Sequence, residues 1–209
     1  MNAEEQGTLD RILQYGKEEF LKKGFSAASL RNIVKRAGVT TGAFYGYFSD
    51  KMALFHVLVA PAAEGLREYF LCVQREFAAL PPDRQVLEMP SFGGGEMAGI
   101  LDYIYGNYEA FKLILCCAEG TPYADYVDSM VEIESEYTLR FIAAMRNAGY
   151  RLRELDPHLM HMLANALFSG IFEVVVHDAQ KEEAAKNIKE LMDFFTAGWV
   201  KIFGMGVET

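Results

Sequence analysis

Residues 38–51 read GVTTGAFYGYFSDK, with two threonines and a glycine running into four aromatics within five positions, then a lysine. Thr40 and Thr41 offer hydroxyls, Gly42 offers a bare backbone, and Tyr45 and Tyr47 offer phenols on a short segment. Small hydrogen-bonding side chains at a helix tip suit close approach to a polyanion or to base edges. Threonine hydroxyls bond phosphate oxygens or base edges, and the methyls of threonine and Ala43 match the thymine methyl. Phe44 and Phe48, four apart, fall on one helical face and are expected to pack inward. Tyr45 and Tyr47 then project elsewhere, where they can reach phosphate and sugar. Lys51, at the start of the next helix, adds a cation beside backbone N–H donors. Arg31, early in the preceding helix, can reach a phosphate or a guanine edge.

These residues need short helices to hold them, and the pattern supplies such helices. Leu9, Ile12, Leu13, Gly16 and Phe20 form one face of a first helix that stops at Gly24-Phe25. A second starts after Ser26 or Ser29 as N-cap, turns Leu30, Ile33 and Val34 inward, and ends at Gly38. A third runs from Thr40 to about Phe48, and a long fourth from SDK to about Phe77 through Pro61. Three short helices with a tight turn at Gly38 have helix-turn-helix proportions.

Charge agrees with that assignment. The 209-residue chain has a net charge of −9. Through residue 52, eight basic residues face six acidic ones, a net +2 that leaves −11 for the rest. A basic head on an acidic body is expected where only one end meets a polyanion.

The motif content of residues 12–55, ILQYGKEEFLKKGFSAASLRNIVKRAGVTTGAFYGYFSDKMALF, resembles the DNA-binding domain of the TetR/AcrR family of bacterial transcription regulators. The shared pattern is an apolar first helix, Gly-aromatic, Ser at the second helix start, Ala-Gly-Val, a small polar turn, aromatic-x-aromatic-Phe and Lys. The resemblance implies that Ser29, Arg31, Thr40, Thr41, Gly42, Tyr45, Tyr47 and Lys51 face double-stranded DNA. Gly46 departs from the pattern, since many members carry a bulkier residue there. The implied architecture is all-α, about nine helices, with a helix-turn-helix domain at 1–52 and a ligand-binding and dimerisation domain at 53–209. The implied function is a homodimeric regulator, a repressor released from a pseudo-palindromic operator by a small hydrophobic molecule.

Beyond the head, PPDRQVLEMPSFGGGE at 81–96 reads as a break, with a mobile connection at Gly93–Gly95. Helices are expected at about 97–106, 108–117, 122–148, 156–178 and 182–203, the third and fourth of these opening on Thr121-Pro122 and Asp156-Pro157. The last two carry broad apolar stripes, from Leu159 to Val175 and from Ile188 to Phe203. By the resemblance they form the interface with a second copy. Tyr126, Met130, Glu134, Tyr137 and Phe141 share one surface of the helix at 122–148, and Tyr103, Phe111, Leu115, Phe168 and Phe172 can close the other walls. An aromatic cavity with few polar groups suits a small organic ligand, and Glu134 can answer a cation or pair with Arg140.

Two other readings compete. Cys116 and Cys117, with His158, His161 or His177, would serve a metal- or redox-responsive regulator, although adjacent cysteines rarely form a relaxed disulfide. No cofactor or bound metal is expected. A helical enzyme is the other class, yet no nucleophile elbow, phosphate loop, HExxH or paired catalytic carboxylates occur. No continuous apolar run reaches the length needed to cross a bilayer, and the acidic start does not read as a secretory signal. With three cysteines, a reducing cytoplasm is the expected setting.

Overall fold

Helix α1 (Ala3–Ala27) turns Ile12, Gly16 and Phe20 to one side, and all three are buried. Gly16 is required there by close packing: a Cβ on it would sit 2.7 Å from Leu54 Cδ2. The helix is broken at Gly24, whose φ of 71° places it in the left-handed region. This is the stop expected at Gly24-Phe25.

The structure, a computed structural model, describes residues 3–89 and 94–204, with side chains from residue 4 and without those of 94–96. Among these residues there are ten α-helices and no strand. After α1 come α2 (Leu30–Ala37), α3 (Thr41–Tyr45), α4 (Lys51–Ala78), α5 (Pro82–Glu88), α6 (Gly94–Gly106), α7 (Tyr108–Cys117), α8 (Tyr126–Asn147), α9 (Pro157–Val176) and α10 (Lys181–Phe203). The all-α architecture with an N-terminal helix-turn-helix is as expected, with one helix more than the count of nine.

Two differences have local causes. Residues 82–88 are helical because Pro82 sits at N1, where its missing N–H costs nothing. Of the mobile connection expected at Gly93–Gly95, Gly93 lies outside the described residues, whereas Gly94 and Gly95 form the start of helix α6. Helix α8 starts at Tyr126 rather than at Pro122, because Thr121 organises a turn instead of a cap. Its hydroxyl donates to Ala118 O at 2.7 Å and accepts from Tyr123 N at 3.1 Å. Asp156-Pro157 does open α9, the Asp156 carboxylate accepting from His158 N at 2.8 Å. Gly149, at φ 92°, ends α8.

The chain forms two compact units, residues 1–65 with 107–126, and residues 66–106 with 127–209. The first holds the helix-turn-helix and is larger than the 1–52 segment, because α7 and the turn after it pack on α1 and the start of α4. Lys17 pairs with Glu109, the Ser26 hydroxyl donates to Glu119 O at 2.8 Å, and Tyr123 OH lies 2.6 Å from His56 Nδ1. Its core gathers Phe20, Phe25 and Phe55, with ring centroids 5.1–5.8 Å apart. The second unit is built on α5, α6, α8, α9, α10 and the end of α4. One of its aromatic clusters stacks Trp199 on Phe203 at 5.3 Å and brings Phe141 against Phe203 at 5.6 Å.

Candidate functional site

A five-residue helix cannot hold itself in water, so α3 exists because its neighbours fix it. Thr40 caps it, its hydroxyl accepting from Ala43 N at 3.1 Å. Phe44 and Phe48 are buried, with ring centroids 5.5 Å apart. Before it, Gly38 takes φ 67° and lets its N–H and that of Val39 return to Lys35 O and Val34 O, closing the turn. With its inner side locked, α3 leaves Thr40, Thr41 and Gly42 exposed, and a Cβ on Gly42 would meet nothing nearer than Thr40 Oγ1 at 3.9 Å. Tyr45 is 54% exposed, its ring edge-on to Phe44.

Helix α2 is fixed as firmly. Ser29 caps it, accepting from Asn32 N at 3.4 Å. The buried Glu19 accepts from Ser29 N at 3.1 Å and Asn32 Nδ2 at 3.4 Å and pairs with Lys23 at 2.8 Å. The hydrogen bond from Lys23 holds the Glu19 carboxyl below its usual range, against the opposing effect of burial. Glu19 was missed in the sequence because a lone carboxylate between Gly16 and Phe20 reads as solvated. Its position on the inward face of α1 was the available signal.

The cations of this unit divide. Arg11 donates to Ala37 O at 3.0 Å, while Lys17, Lys23 and Arg36 are paired with carboxylates. Lys22, Arg31 and Lys35 are exposed and form no ion pair among the described residues. Arg31 and Lys35 are one turn apart on α2.

Two expected phosphate contacts are engaged inside the chain. Lys51 has a different job from the one its position suggested. Its ammonium donates to Phe25 O at 2.6 Å, Ala28 O at 3.0 Å and Ser26 O at 3.4 Å, and lies 4.4 Å over the Phe25 ring. It thus ties the end of α1 to the start of α4, and burial lowers its pKa. The half-buried Tyr47 donates its phenol to Glu5 O at 3.1 Å. The outward face is therefore made by Arg31, Lys35, Thr40, Thr41, Gly42 and Tyr45.

Geometry of this kind has known counterparts. Residues 12–58 match the family model for bacterial regulatory proteins of the tetR family. Over 200 residues, 93% of this chain and 86% of the relative, the sequence is 29% identical to the HTH-type transcriptional regulator SrpR of Pseudomonas putida. Residues 12–58 carry the DNA-binding segment of the TetR family, and the chain resembles a regulator over most of its length. It is a DNA-binding transcriptional regulator. A 23% identity to UidR of Escherichia coli extends over 188 residues, 90% of this chain and 89% of the relative. A similar fold occurs in NalD, the secondary repressor of the MexAB-OprM multidrug efflux pump in Pseudomonas aeruginosa. That likeness has a TM-score of 0.53 and 21% identity, covering 91% of this chain and 96% of NalD.

The second unit of the chain contains a cavity of about 920 Å³, solvent at its mouth included. Of the residues expected to line it, Glu134, Tyr137, Phe141 and Phe168 do. Tyr103, Met130 and Phe172 lie elsewhere in the unit, Phe172 stacked on Phe168. Phe111, Leu115 and Tyr126 belong to the first unit, where α7 packs on α1 and the buried Tyr126 donates to Ala63 O at 3.0 Å. Much of the remaining wall comes from helices whose stripes read as plain core or interface: Phe70, Val73, Gln74 and Phe77 on α4, Leu167 and Ile171 on α9, and Met192, Phe195, Thr196, Trp199 and Phe203 on α10. Their spacing of three and four was the signal.

Glu134 is the acidic group of this wall. Its Oε2 accepts from Gln74 Nε2 at 2.7 Å and its Oε1 from Thr138 Oγ1 at 3.3 Å. The residue keeps some exposure, yet its carboxylate lies deep enough that burial dominates. Burial raises its pKa above 4.5, against the two hydrogen bonds. The folded chain therefore binds this proton more tightly than the unfolded chain, and stability falls as pH rises through the raised pKa. Glu134→Gln is expected to melt higher than the wild-type protein near neutral pH, by about 2–4 °C for each kcal/mol relieved. The gap should close as pH falls toward 4.5, a trend that thermal melts from pH 4.5 to 8 measure. A gap that is constant, or that opens toward acid, would contradict this account of the carboxyl.

The cysteines form no disulfide. Burial raises the pKa of Cys117, which disfavours the thiolate that redox or metal chemistry needs. Among the described residues no group of three or more metal-binding side chains comes together.

Proposed function

We propose that the chain is a repressor that binds a pseudo-palindromic operator as a homodimer and leaves it when a small, largely hydrophobic molecule enters the cavity of the second unit. The observation that carries the DNA side is the tip of α3, held from behind by Phe44 and Phe48 and open at Thr41, Gly42 and Tyr45. Arg31 and Lys35 on α2, exposed and without an ion pair among the described residues, supply the phosphate side. The repressor sign is supported by NalD, which is a repressor. A cytoplasmic location follows from DNA as the partner.

The dimer reading rests on α9. It is long and apolar enough by composition to cross a membrane, although no continuous apolar run spans it, and less than half of its apolar stretch is buried. Leu159, Met162 and Ala166 form an exposed stripe at helical spacing, Val176 is exposed at the far end of α9, and Phe194 on α10 is 73% exposed. An apolar helix face of this kind needs a cover, and a second copy provides one with the two-fold symmetry a pseudo-palindrome requires. Six stripe residues expected at the interface, Leu167 and Ile171 on α9 and Met192, Phe195, Trp199 and Phe203 on α10, instead line the cavity. Helix α4 contributes Phe55 to the first unit and Phe70, Gln74 and Phe77 to the cavity wall. A ligand that moves this helix thus has a covalent route to the head, and its differential affinity for the two states sets the response.

Selection from a pool of random duplexes tests the proposal. Two half-sites about 34–36 Å apart are expected. Affinity for the selected duplex should fall linearly on a log–log salt plot, and each lost phosphate contact should flatten the slope by about 0.9. Tyr45→Ala should weaken binding. Recovery of no sequence, or unchanged affinity in that variant, would overturn the docking.

A further inference from the structure

Glu134 presents a charge that the protein does not balance. A buried carboxylate is costly unless it is paired, and most such groups meet a lysine or arginine. Here both hydrogen-bond partners, Gln74 and Thr138, are neutral. They orient the carboxylate without cancelling its charge, and each oxygen retains acceptor capacity. Arg140, the basic residue that sequence spacing offered as a partner, turns away. It pairs with Glu136 and lies 5.0 Å over the Tyr137 ring. No ion pair to Glu134 occurs among the described residues.

The rest of the wall favours positive charge for a separate reason. Aromatic faces carry negative potential, and a cation set against them gains most where water is excluded. Phe77, Phe168 and Trp199 face the same cavity as Glu134. An anion would meet like charge there, and a purely neutral ligand would leave the carboxylate buried and unanswered.

We infer that the effector is a lipophilic cation, its ammonium or equivalent positive centre seated at Glu134 and its apolar body among the aromatic rings. This rests on the ligand-responsive reading above and narrows it to one chemical class. The neighbouring hydroxyl and amide become positioning groups that keep the carboxylate aimed at the incoming charge.

Decylamine, decanol and decanoate share a ten-carbon chain and differ in charge. Trp199, the single tryptophan of the chain, lines the cavity and reports their binding by fluorescence. Decylamine is expected to bind at least about tenfold more tightly than decanol, with decanoate weakest. In Glu134→Gln the amine should fall to within about threefold of the alcohol, while alcohol affinity holds. Glu134→Asp, which keeps the charge, should retain part of the preference. An alcohol or carboxylate that matches the amine in the wild-type protein would overturn the inference, as would a Gln variant that keeps the full preference. DNA release separates the two readings. Equal release by all three compounds leaves the sensor standing and removes the cation requirement. Failure of all three to bind removes both.

Discussion

The double variant Arg31→Glu, Thr41→Glu is expected to lose operator binding by about 10²–10⁴-fold at fixed salt while keeping its fold. Each position stands for a contact of roughly 1–3 kcal/mol to a base or phosphate, and the introduced carboxylates add repulsion from the DNA backbone. The location of the substitutions separates binding from stability. Both fall in the first turn of a helix, Arg31 on α2 and Thr41 on α3, and neither helix has an acidic residue there. A carboxylate at a helix N-terminus is favoured by the unpaired N–H groups and the helix dipole, by about 0.3–1 kcal/mol. Both side chains are exposed and neither joins an ion pair among the described residues. Thermal melting should therefore hold steady or rise slightly as affinity falls. Fluorescence anisotropy on the selected duplex and a parallel melt give the two readouts. Wild-type affinity in this variant would place the DNA elsewhere on the molecule.

The head was legible in the sequence because the residues that fold it and those it leaves exposed stand at fixed offsets. Phe44 and Phe48 are four apart and go inward; Thr41, Gly42 and Tyr45 occupy what remains. Such a division survives in a pattern read one residue at a time. Lys51 and Tyr47 show the limit of that reading. Each has the right type and position to meet phosphate, but a carbonyl cluster at the end of α1 and the Glu5 carbonyl meet them first. Local periodicity carries no information about such partners, which come from 23 to 42 residues away.

The cavity was harder to read for a related reason. An apolar residue on a wall and one in a core have the same periodicity, and only the gap between helices distinguishes them. Glu134 stood out because a charge on an apolar stripe must be explained. Phe70, Phe77 and Trp199 did not, because nothing about their type required a void beside them. Phe111 and Tyr126 have the same apolar character as wall residues, yet α7 packs on α1 and both belong to the first unit.

Phe55→Ala is expected to cost about 3–5 kcal/mol, a large share of the roughly 5–15 kcal/mol that holds a domain folded. Phe55 is fully buried, with the Phe20 ring edge-on at 5.1 Å, Phe25 at 5.3 Å and Tyr123 at 6.2 Å. Removing its ring leaves a void ringed by aromatics that have little freedom to collapse into it. The residue before it, Leu54, fills the notch at Gly16, so α4 cannot slide toward α1 to close the gap. Lys51 lies one turn earlier and depends on the same placement for its grip on the carbonyls at the end of α1. Its burial without those acceptors would be a further cost. Phe55→Leu keeps most of the volume and should cost less than about 1.5 kcal/mol. Urea unfolding followed by far-ultraviolet circular dichroism ranks the three proteins. Operator binding should fall for the alanine variant as its folded fraction falls and survive in the leucine variant. An alanine variant within 1 kcal/mol of wild type would mean that the aromatic cluster does not hold the head, and that α3 is positioned by other contacts.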